Sequence, residues 1–194
     1  MHVVGFCGSS GSGKTTLIER LLPLMRGQGL RVSVIKHAHA GFDLDTPGKD
    51  SFRHRQAGAF EVLVASGQRL AKLREYEVTG EPTVHQLIAE LVDCDWVIVE
   101  GFKHADIPKI ELIDPSRDGT PLYPDDPFVV ALVTDAPGAL PVATQRPVFA
   151  RADVVVQEGK LISLAATSGP TRLKGPAFDA AIGAPPELPA GAAK

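Results

Sequence analysis

The sequence predicts an α/β domain with a mostly parallel sheet, flanked by helices and carrying an inserted β-hairpin. Short apolar runs of strand type recur along the chain with helical segments between them, as in layered α/β domains. A glycine-rich turn at residues 8–15 joins the first of these strands to a helix. Residues 60–65 and 69–74 are two strand-like runs separated by a turn that contains glycine, which predicts the hairpin.

The first strand leads directly into a phosphate-binding motif. Residues 2–7 form a short apolar run, and residues 8–15 read Gly-Ser-Ser-Gly-Ser-Gly-Lys-Thr, a complete match to G-x-x-x-x-G-K-[ST]. Residues 16–22 have helical spacing, so the motif joins a strand to a helix. This arrangement is typical of a P-loop NTPase, and it predicts that the chain binds a nucleoside triphosphate.

Each residue type in the motif has a distinct task. Glycines let the backbone approach phosphate oxygens, so that consecutive N–H groups form an anion-binding nest. Lys14 offers a positive charge to the β- and γ-phosphates, and the Thr15 hydroxyl offers a ligand to Mg²⁺. The predicted phosphate-binding residues are Gly11, Ser12, Gly13, Lys14, Thr15 and Thr16.

The next part of the chain predicts a second strand and a short helix. Pro23 removes one backbone hydrogen bond from the first helix and predicts a kink there. Residues 31–36 read as a strand, after which a polar loop leads to Asp50. We expect Asp50 to be the N-cap of a helix over residues 51–57.

The second half of the chain predicts one more helix and three buried strands. Residues 83–86 fit a capping box, which marks the start of the helix. Residues 96–99 are wholly apolar and predict a fully buried central strand, and residues 109–113 and 128–133 predict two further strands.

Length and composition limit the possible function classes. The 194 residues suit about one domain, predicted over residues 1–167 with the hairpin insertion at about 60–75. Residues 168–194 are rich in Pro, Ala and Gly and predict a disordered tail. The net charge of −3 argues against nucleic-acid binding. With no signal peptide and no membrane-length apolar run, we expect a cytoplasmic protein without membrane contact.

The two cysteines favour a structural interpretation. Cys7 and Cys94 each lie in or beside an apolar strand-like run. We therefore expect buried thiols rather than a metal or redox site.

Glu100 is the best candidate for the acidic partner that a phosphate loop needs to hold Mg²⁺ or its waters. It directly follows the predicted buried strand, at the edge where α/β folds bind ligands. The alternative is an ordinary charge at a strand end. We expect Mg²⁺ between Thr15 and Glu100, and we include Glu100 among the catalytic candidates.

Two further carboxylates are candidate site residues, each with a structural alternative. Asp45 lies in a polar loop whose position suits a switch that responds to the γ-phosphate, which makes it the second catalytic candidate; it fits a plain surface loop equally well. Asp135 follows the strand 128–133 and could read the base, although a guanine-reading N-K-x-D motif is absent. Its alternative is to initiate the turn before Pro137.

His37 and His39 alternate at the end of the second strand, so both point to one face. Two histidines could bind a metal, but no third ligand with suitable spacing is visible. We favour a place near the γ-phosphate or an anionic substrate.

Several of these sequence blocks, taken together, resemble the molybdopterin-guanine dinucleotide biosynthesis protein B (MobB) family. The resemblance runs from residue 1 to about residue 160, in the order expected for the family. The blocks that carry it are residues 4–6, 8–16, 34–39, 45–51, 53–59, 99–103 and 108–111.

The resemblance implies a GTP-binding homodimer with slow GTP hydrolysis. Such a protein assists the guanylyltransferase that joins GMP to molybdopterin, as an adapter or a nucleotide supplier. It implies phosphate binding by residues 11–16 and Mg²⁺ between Thr15 and Glu100, with Asp45 and Lys103 only as neighbours of the site. Members of the family carry an extended hairpin that helps to form the dimer, and residues 60–74 are the segment that could supply it.

Two other functions stay open at the level of sequence. A small-molecule kinase using ATP would share the phosphate loop and Mg²⁺, but it would need arginines in a lid, and no arginine-rich lid segment is visible. A metal-delivery GTPase would hold zinc or nickel at His37 and His39.

Overall fold

The computed structural model describes residues 1–38, 41–77, 80–157 and 160–163, which fold as two compact units. The smaller unit is Ala38–Pro82, and the larger one joins Met1–His37 to the chain from Thr83 onward. The predicted tail at 168–194 lies outside the described residues. In chain order the helices and strands are β1 (His2–Cys7), α1 (Lys14–Gly27), β2 (Val32–Lys36), α2 (Asp50–Gln56), β3 (Glu61–Ala65), β4 (Leu70–Arg74), α3 (Val84–Ala89), β5 (Trp96–Glu100), β6 (Lys109–Leu112), β7 (Val129–Val133), β8 (Val148–Phe149), β9 (Val154–Gln157) and β10 (Lys160–Ser163).

The larger unit is built on a six-stranded sheet in the order β2-β5-β1-β6-β7-β8. Every neighbouring pair in this sheet is parallel, which confirms the predicted α/β class. All parallel strands end at the same edge of the sheet, so the chain after β1, β2, β5 and β6 meets there. That edge carries the phosphate loop.

Alternate residues of β1 face opposite sides of the sheet and pack into different apolar clusters. Val4 and Phe6 pack with Leu17, Leu21 and other residues of α1. Val3 packs instead with α3. Every residue of β5 is buried, as the wholly apolar run at 96–99 predicts.

The predicted N-terminal cap is correct for α3 and wrong for α2. Thr83 and Gln86 form the predicted capping box, with the Thr83 hydroxyl accepting from the Gln86 N–H at 3.2 Å. The prediction that Asp50 is an N-cap is wrong, because Lys49 is the extended residue that precedes α2 and Asp50 is its first helical residue. The Asp50 carboxylate lies 3.6 Å from Arg53 instead. Helix α1 runs on through Pro23 to Gly27.

The smaller unit contains α2 and the predicted hairpin. Strands β3 and β4 pair antiparallel from Glu61↔Arg74 to Ala65↔Leu70, and the Arg69 carbonyl accepts from the Ser66 N–H at 2.8 Å to close the turn. None of the described residues between 38 and 82 is buried. This unit therefore has no apolar core within the described chain.

The core of the larger unit also encloses charged and ionisable groups. Lys109 is wholly buried, donates to the Ala105 carbonyl at 2.5 Å and lies 2.7 Å from the Asp126 carboxylate. Cys7 is also buried, and burial raises the pKa of its thiol to about 12. Cys94 is half-buried. The prediction of buried thiols therefore agrees fully with Cys7 and partly with Cys94.

Three strands near the end of the described chain were not predicted. The two-residue β8 extends the sheet beside β7, and β9 pairs with β10 in a separate antiparallel ribbon. No helix in the described part of the chain combines the length and the apolar character needed to cross a membrane.

Candidate functional site

The phosphate loop takes backbone conformations that require its glycines. Gly8, Gly11 and Gly13 have φ angles of 128°, 75° and 92°, a region that other residues rarely adopt. A Cβ on Gly8 would lie 2.2 Å from the Leu112 carbonyl oxygen, so the loop also packs closely against β6. Gly13 precedes the first residue of α1, and no side chain caps the helix. Its first N–H groups are therefore available to an anion.

The Lys14 side chain folds back over the loop from which it comes. Its ammonium donates to the Gly8 and Ser9 carbonyls at 3.0 and 2.7 Å. Burial lowers the pKa of Lys14, and the nearby Glu100 carboxylate partly offsets this shift. The charge is thus held over the loop, where the motif requires it for the β- and γ-phosphates.

The structure brings Thr15 and Glu100 together, as the sequence predicts. The Thr15 hydroxyl donates to Glu100 Oε1 at 2.7 Å, and the glutamate is only 5% exposed. Lys36 bonds to the same carboxylate oxygen, because Lys36 and Glu100 are direct neighbours in the register of β2 and β5. Sequence reasoning missed Lys36, although it ends a strand at the ligand edge just as Glu100 does.

The donor set at this point fits Mg²⁺. A hydroxyl and a carboxylate are the hard oxygen ligands that Mg²⁺ takes, and it usually completes its shell with phosphate oxygens and water. Among the described residues, no group of three or more His, Cys, Asp and Glu side chains could hold a metal by itself. Since Lys36 already shares Oε1, Mg²⁺ would reach Glu100 through its other oxygen or through water.

The turn after Glu100 is tightly built around His37. Gly101 has a φ of 97°, and a Cβ there would lie 2.7 Å from the His37 Cβ. The His37 ring stacks on Phe102 with 4.5 Å between ring centres, and the His37 backbone N–H donates to the Glu100 carbonyl at 2.9 Å. His37 thus helps to fix the turn that follows Glu100. Its predicted companion, His39, lies outside the described residues.

Asp45 lies in the smaller unit, where its carboxylate already has partners. It accepts from the Ser51 hydroxyl at 2.8 Å and from Arg55 Nε at 3.0 Å. Burial raises the pKa of Asp45, but these bonds and one from the Thr46 N–H outweigh it and hold the pKa below its usual range. Arg55 also binds Asp43 and Glu75. Asp45 is therefore part of an ion-pair network centred on Arg55.

Asp135 lies at the ligand edge of the larger unit and binds Arg151. Its Oδ1 accepts from the Arg151 backbone N–H at 2.8 Å, and its Oδ2 lies 3.5 Å from the guanidinium. The neighbouring Thr134 hydroxyl is the group that accepts within the turn, from the Ala136 N–H at 3.2 Å. Asp135 thus ties together two loops that follow adjacent strands.

A cleft of about 300 Å³ opens beside the phosphate loop. Residues 8–10 form one wall, and the loop after β6 at 113–122 forms the other. Lys103 also lines it, which places this residue close to the start of the phosphate loop. Glu111 lies at the cleft with its carboxylate held by the Leu122 and Tyr123 N–H groups, both at 2.8 Å.

Two arginines lie close to the phosphate loop and were missed at the level of sequence. A Cβ on Gly11 would be 3.4 Å from Arg117 Cζ, and one on Gly13 would be 3.8 Å from Arg151 Nε. Arg117 follows β6 and Arg151 follows β8. The one sequence feature that indicates these arginines is their position after a strand. A strand as short as β8 has almost no recognisable pattern of apolar residues.

Comparison with known proteins agrees with this architecture. Residues 3–135 match the family model described as molybdopterin guanine dinucleotide synthesis protein B. The chain is 41% identical over 148 residues to the molybdopterin-guanine dinucleotide biosynthesis adapter protein of Escherichia coli (strain K12), a match that covers 73% of this chain and 82% of that protein. It is also 41% identical over 138 residues to the adapter protein of Haemophilus influenzae, covering 70% of this chain and 75% of the relative.

The fold is similar to that of a solved structure. The crystal structure of Bacillus subtilis MobB superposes with a TM-score of 0.61 at 27% sequence identity, covering 79% of this chain and 91% of that chain.

Proposed function

This chain belongs to the MobB family, and we propose that it binds GTP with Mg²⁺ and serves as an adapter in the attachment of GMP to molybdopterin. The observation that carries the proposal is the contact between Thr15 and Glu100 beside a complete phosphate loop. It joins the two groups that would hold Mg²⁺ next to the Lys14 charge. When bound, the metal would neutralise charge on the β- and γ-phosphates.

The adapter role rests on the relatives. Two proteins that are 41% identical to this chain are described as molybdopterin-guanine dinucleotide biosynthesis adapter proteins. We propose that the partner is the guanylyltransferase that joins GMP to molybdopterin, to which this chain presents or supplies the nucleotide.

The ion pairs support slow GTP hydrolysis. Attack of water on the γ-phosphate needs a group that orients the water. The Glu100 carboxylate already binds Thr15 and Lys36, and the Asp45 carboxylate binds Ser51 and Arg55. With both candidates engaged, we expect the isolated chain to hydrolyse GTP slowly.

The hairpin supports self-association. Leu63, Val64 and Leu70 are apolar side chains on β3 and β4 that are 58, 46 and 65% exposed. Leu63 and Leu70 lie on one face of the ladder, because Leu70 is opposite Ala65, and exposed apolar side chains on one face are typical of an interface. We propose that it pairs with a second copy of the chain, which size-exclusion chromatography with light scattering tests directly.

Calorimetric titration with GTP and with ATP, each with and without Mg²⁺, tests the nucleotide proposal. We expect tighter binding of GTP, strengthened by Mg²⁺. Lys14→Ala should weaken binding by about ten- to a hundredfold, because each charge-assisted hydrogen bond contributes roughly 1.5–3 kcal/mol. Arg26→Ala, at the far end of α1, is the matched control and should bind as the wild type does.

Glu100→Gln tests the metal site in the same assay. It keeps the shape of the side chain but removes its charge, so the gain in affinity from Mg²⁺ should shrink while binding without Mg²⁺ persists. Identical wild-type affinity with and without Mg²⁺ would contradict the role assigned to Glu100.

The cleft beside the phosphate loop favours a second candidate function. A space of about 300 Å³ next to residues 8–10 could admit the acceptor of a small-molecule kinase. A preference for ATP over GTP in the titration would favour the kinase.

A further inference from the structure

Arg151 has a buried hydrogen-bond donor directed toward the phosphate loop. Its Nε lies 3.8 Å from the position that a Cβ on Gly13 would take, next to the uncapped start of α1. This nitrogen is the one side-chain polar atom in the described part of the chain that is buried without a hydrogen-bond partner. A buried N–H without an acceptor costs free energy, so its position calls for a ligand that supplies one.

The backbone around Arg151 is anchored so that the guanidinium stays over the loop. Arg20 of α1 donates to the Arg151 and Ala152 carbonyls at 2.9 and 3.3 Å. Asp135 accepts from the Arg151 backbone N–H at 2.8 Å. The segment after β8 is thus tied both to α1 and to the loop after β7.

The guanidinium itself is held more loosely than its backbone. Its terminal nitrogens lie 3.6 Å from Asp114 Oδ2 and 3.5 Å from Asp135 Oδ2, distances of ion pairs rather than of good hydrogen bonds. The two carboxylates therefore hold the guanidinium in place, while its N–H groups stay available for short hydrogen bonds to an incoming anion.

Arg117 also reaches the phosphate loop, at Gly11. Its Cζ and NH1 lie 3.4 and 3.6 Å from the Cβ position on Gly11, and its side chain belongs to an exposed stretch of the loop after β6. The Asp114 carboxylate accepts from the Ser116 hydroxyl at 2.6 Å, which fixes it beside the Arg151 guanidinium. Two positive charges thus flank residues 11–13.

We propose that Arg151 and Arg117 bind the phosphate chain of the nucleotide in the phosphate loop, with Arg20, Asp114 and Asp135 as positioning residues. This inference rests on the proposed nucleotide binding and adds two ligands to it. A guanidinium binds phosphate oxygens through two parallel N–H groups, which a lysine cannot imitate. Both charges come from the same chain as the loop, so the phosphates are neutralised without an arginine from a partner protein.

Calorimetry of Arg151→Ala, Arg151→Lys and Arg117→Ala with GTP, GDP and inorganic pyrophosphate tests the proposal. Arg151→Ala should lose about ten- to a hundredfold in affinity for all three ligands, since each carries the phosphate groups. Arg151→Lys should recover only part of that loss, because lysine restores the charge but not the paired N–H groups. Arg117→Ala removes an exposed side chain, so it reports on binding even where an Arg151 variant folds poorly.

Arg26→Ala again supplies the control, since it removes the same charge from an exposed site on α1. The unfolding midpoint of each variant, followed by Trp96 fluorescence, separates lost contacts from lost folding. If the wild type binds GTP and both Arg117→Ala and Arg151→Lys bind it as tightly, the arginine assignment fails and the proposed function stands. If Arg151→Ala weakens GTP but leaves pyrophosphate unchanged, Arg151 contacts the nucleoside and the phosphate assignment is overturned. Wild-type protein that binds no GTP would remove the proposed function itself.

Discussion

Different interactions stabilise each of the two units of the chain. In the larger unit three apolar clusters fill both faces of the parallel sheet, and residues such as Leu21 and Ile98 are almost completely buried. In the smaller unit none of the described residues is buried, and its order comes from the β3–β4 ladder and from the carboxylates around Arg55. Apolar contacts carry no titrating group, whereas the ion pairs around Arg55 depend on pH.

The phosphate loop and the hairpin therefore lie in units of different packing. The phosphate loop, Lys14 and Glu100 belong to the well-packed unit, where a fixed geometry would let backbone N–H groups meet the phosphate oxygens of the proposed nucleotide. The hairpin belongs to the unit without a core, and the proposed second copy of the chain would cover its exposed apolar side chains. Substitutions matched between the two units test this contrast.

Lys109→Met should give the largest effect on stability. Removing the ammonium leaves the Asp126 carboxylate, whose side chain is 17% exposed, without its buried partner. Breaking a buried ion pair in this way costs about 3–5 kcal/mol. Urea unfolding followed by the fluorescence of Trp96, the single tryptophan, measures the loss. A change as small as that of the exposed control Arg26→Ala would show that the pair adds little to the larger unit.

Leu21→Ala and Leu63→Ala form a matched pair, one in each unit. Leu21 is completely buried, so its truncation should cost about 2–5 kcal/mol. Leu63 is 58% exposed, so the same change should stay within about 0.5 kcal/mol for the monomer. Leu63→Ala should instead weaken self-association, which light scattering over a dilution series measures. Equal losses of stability in the two variants would contradict the contrast between the units.

Arg55→Ala should loosen the smaller unit and leave the larger one intact. The substitution removes the common partner of Asp43, Asp45 and Glu75. Hydrogen exchange should therefore speed up across α2 and β3, while the amides of β5 keep the wild-type rate. Arg53→Ala, a more exposed neighbour on the same helix, serves as the control. Unchanged exchange in α2 after loss of Arg55 would mean that the network does not hold the unit.

Acidification should have the smallest effect, and it should act on the same network. Because the pKa of Asp45 in the folded chain lies below its usual value, its ion pair stabilises the smaller unit at pH values above the unfolded pKa of about 3.9. That contribution is lost as the pH falls through the folded pKa. The carbon-13 shift of the Asp45 carboxyl should therefore stay constant from pH 7 down to about pH 4 and change only below it. A carboxyl shift whose midpoint lies above about 3.9 would contradict this sign.

The sequence predicts the parts of the site that obey a local rule. The phosphate loop is contiguous in the chain, so its motif and its flanking strand and helix are recognisable together. The pairing of Thr15 with Glu100 followed from one topological rule, that parallel strands end at a common edge. The capping box at Thr83 is local as well and could be predicted.

Contacts that depend on the register between strands, or on loops after short strands, were out of reach. Lys36 meets Glu100 because β2 lies next to β5, and a single sequence does not give that order. Arg151 comes to the loop only because the two-residue β8 adds to the edge of the sheet. The N-cap prediction was wrong because Asp50, although its side chain suits capping, is the first residue of α2 and Lys49 precedes it.

Because Cys7 is inaccessible, the rate of its alkylation reports how often the core around it opens. Its thiol is buried beside the phosphate loop with a pKa of about 12, so the thiolate that attacks alkylating reagents is almost absent at neutral pH. Cys94, the other of the two cysteines, is half-buried, so we expect it to be alkylated first. The rate of the second alkylation, followed by mass spectrometry, therefore measures the rate at which the central sheet opens. Bound GTP should slow that event and leave the first unchanged.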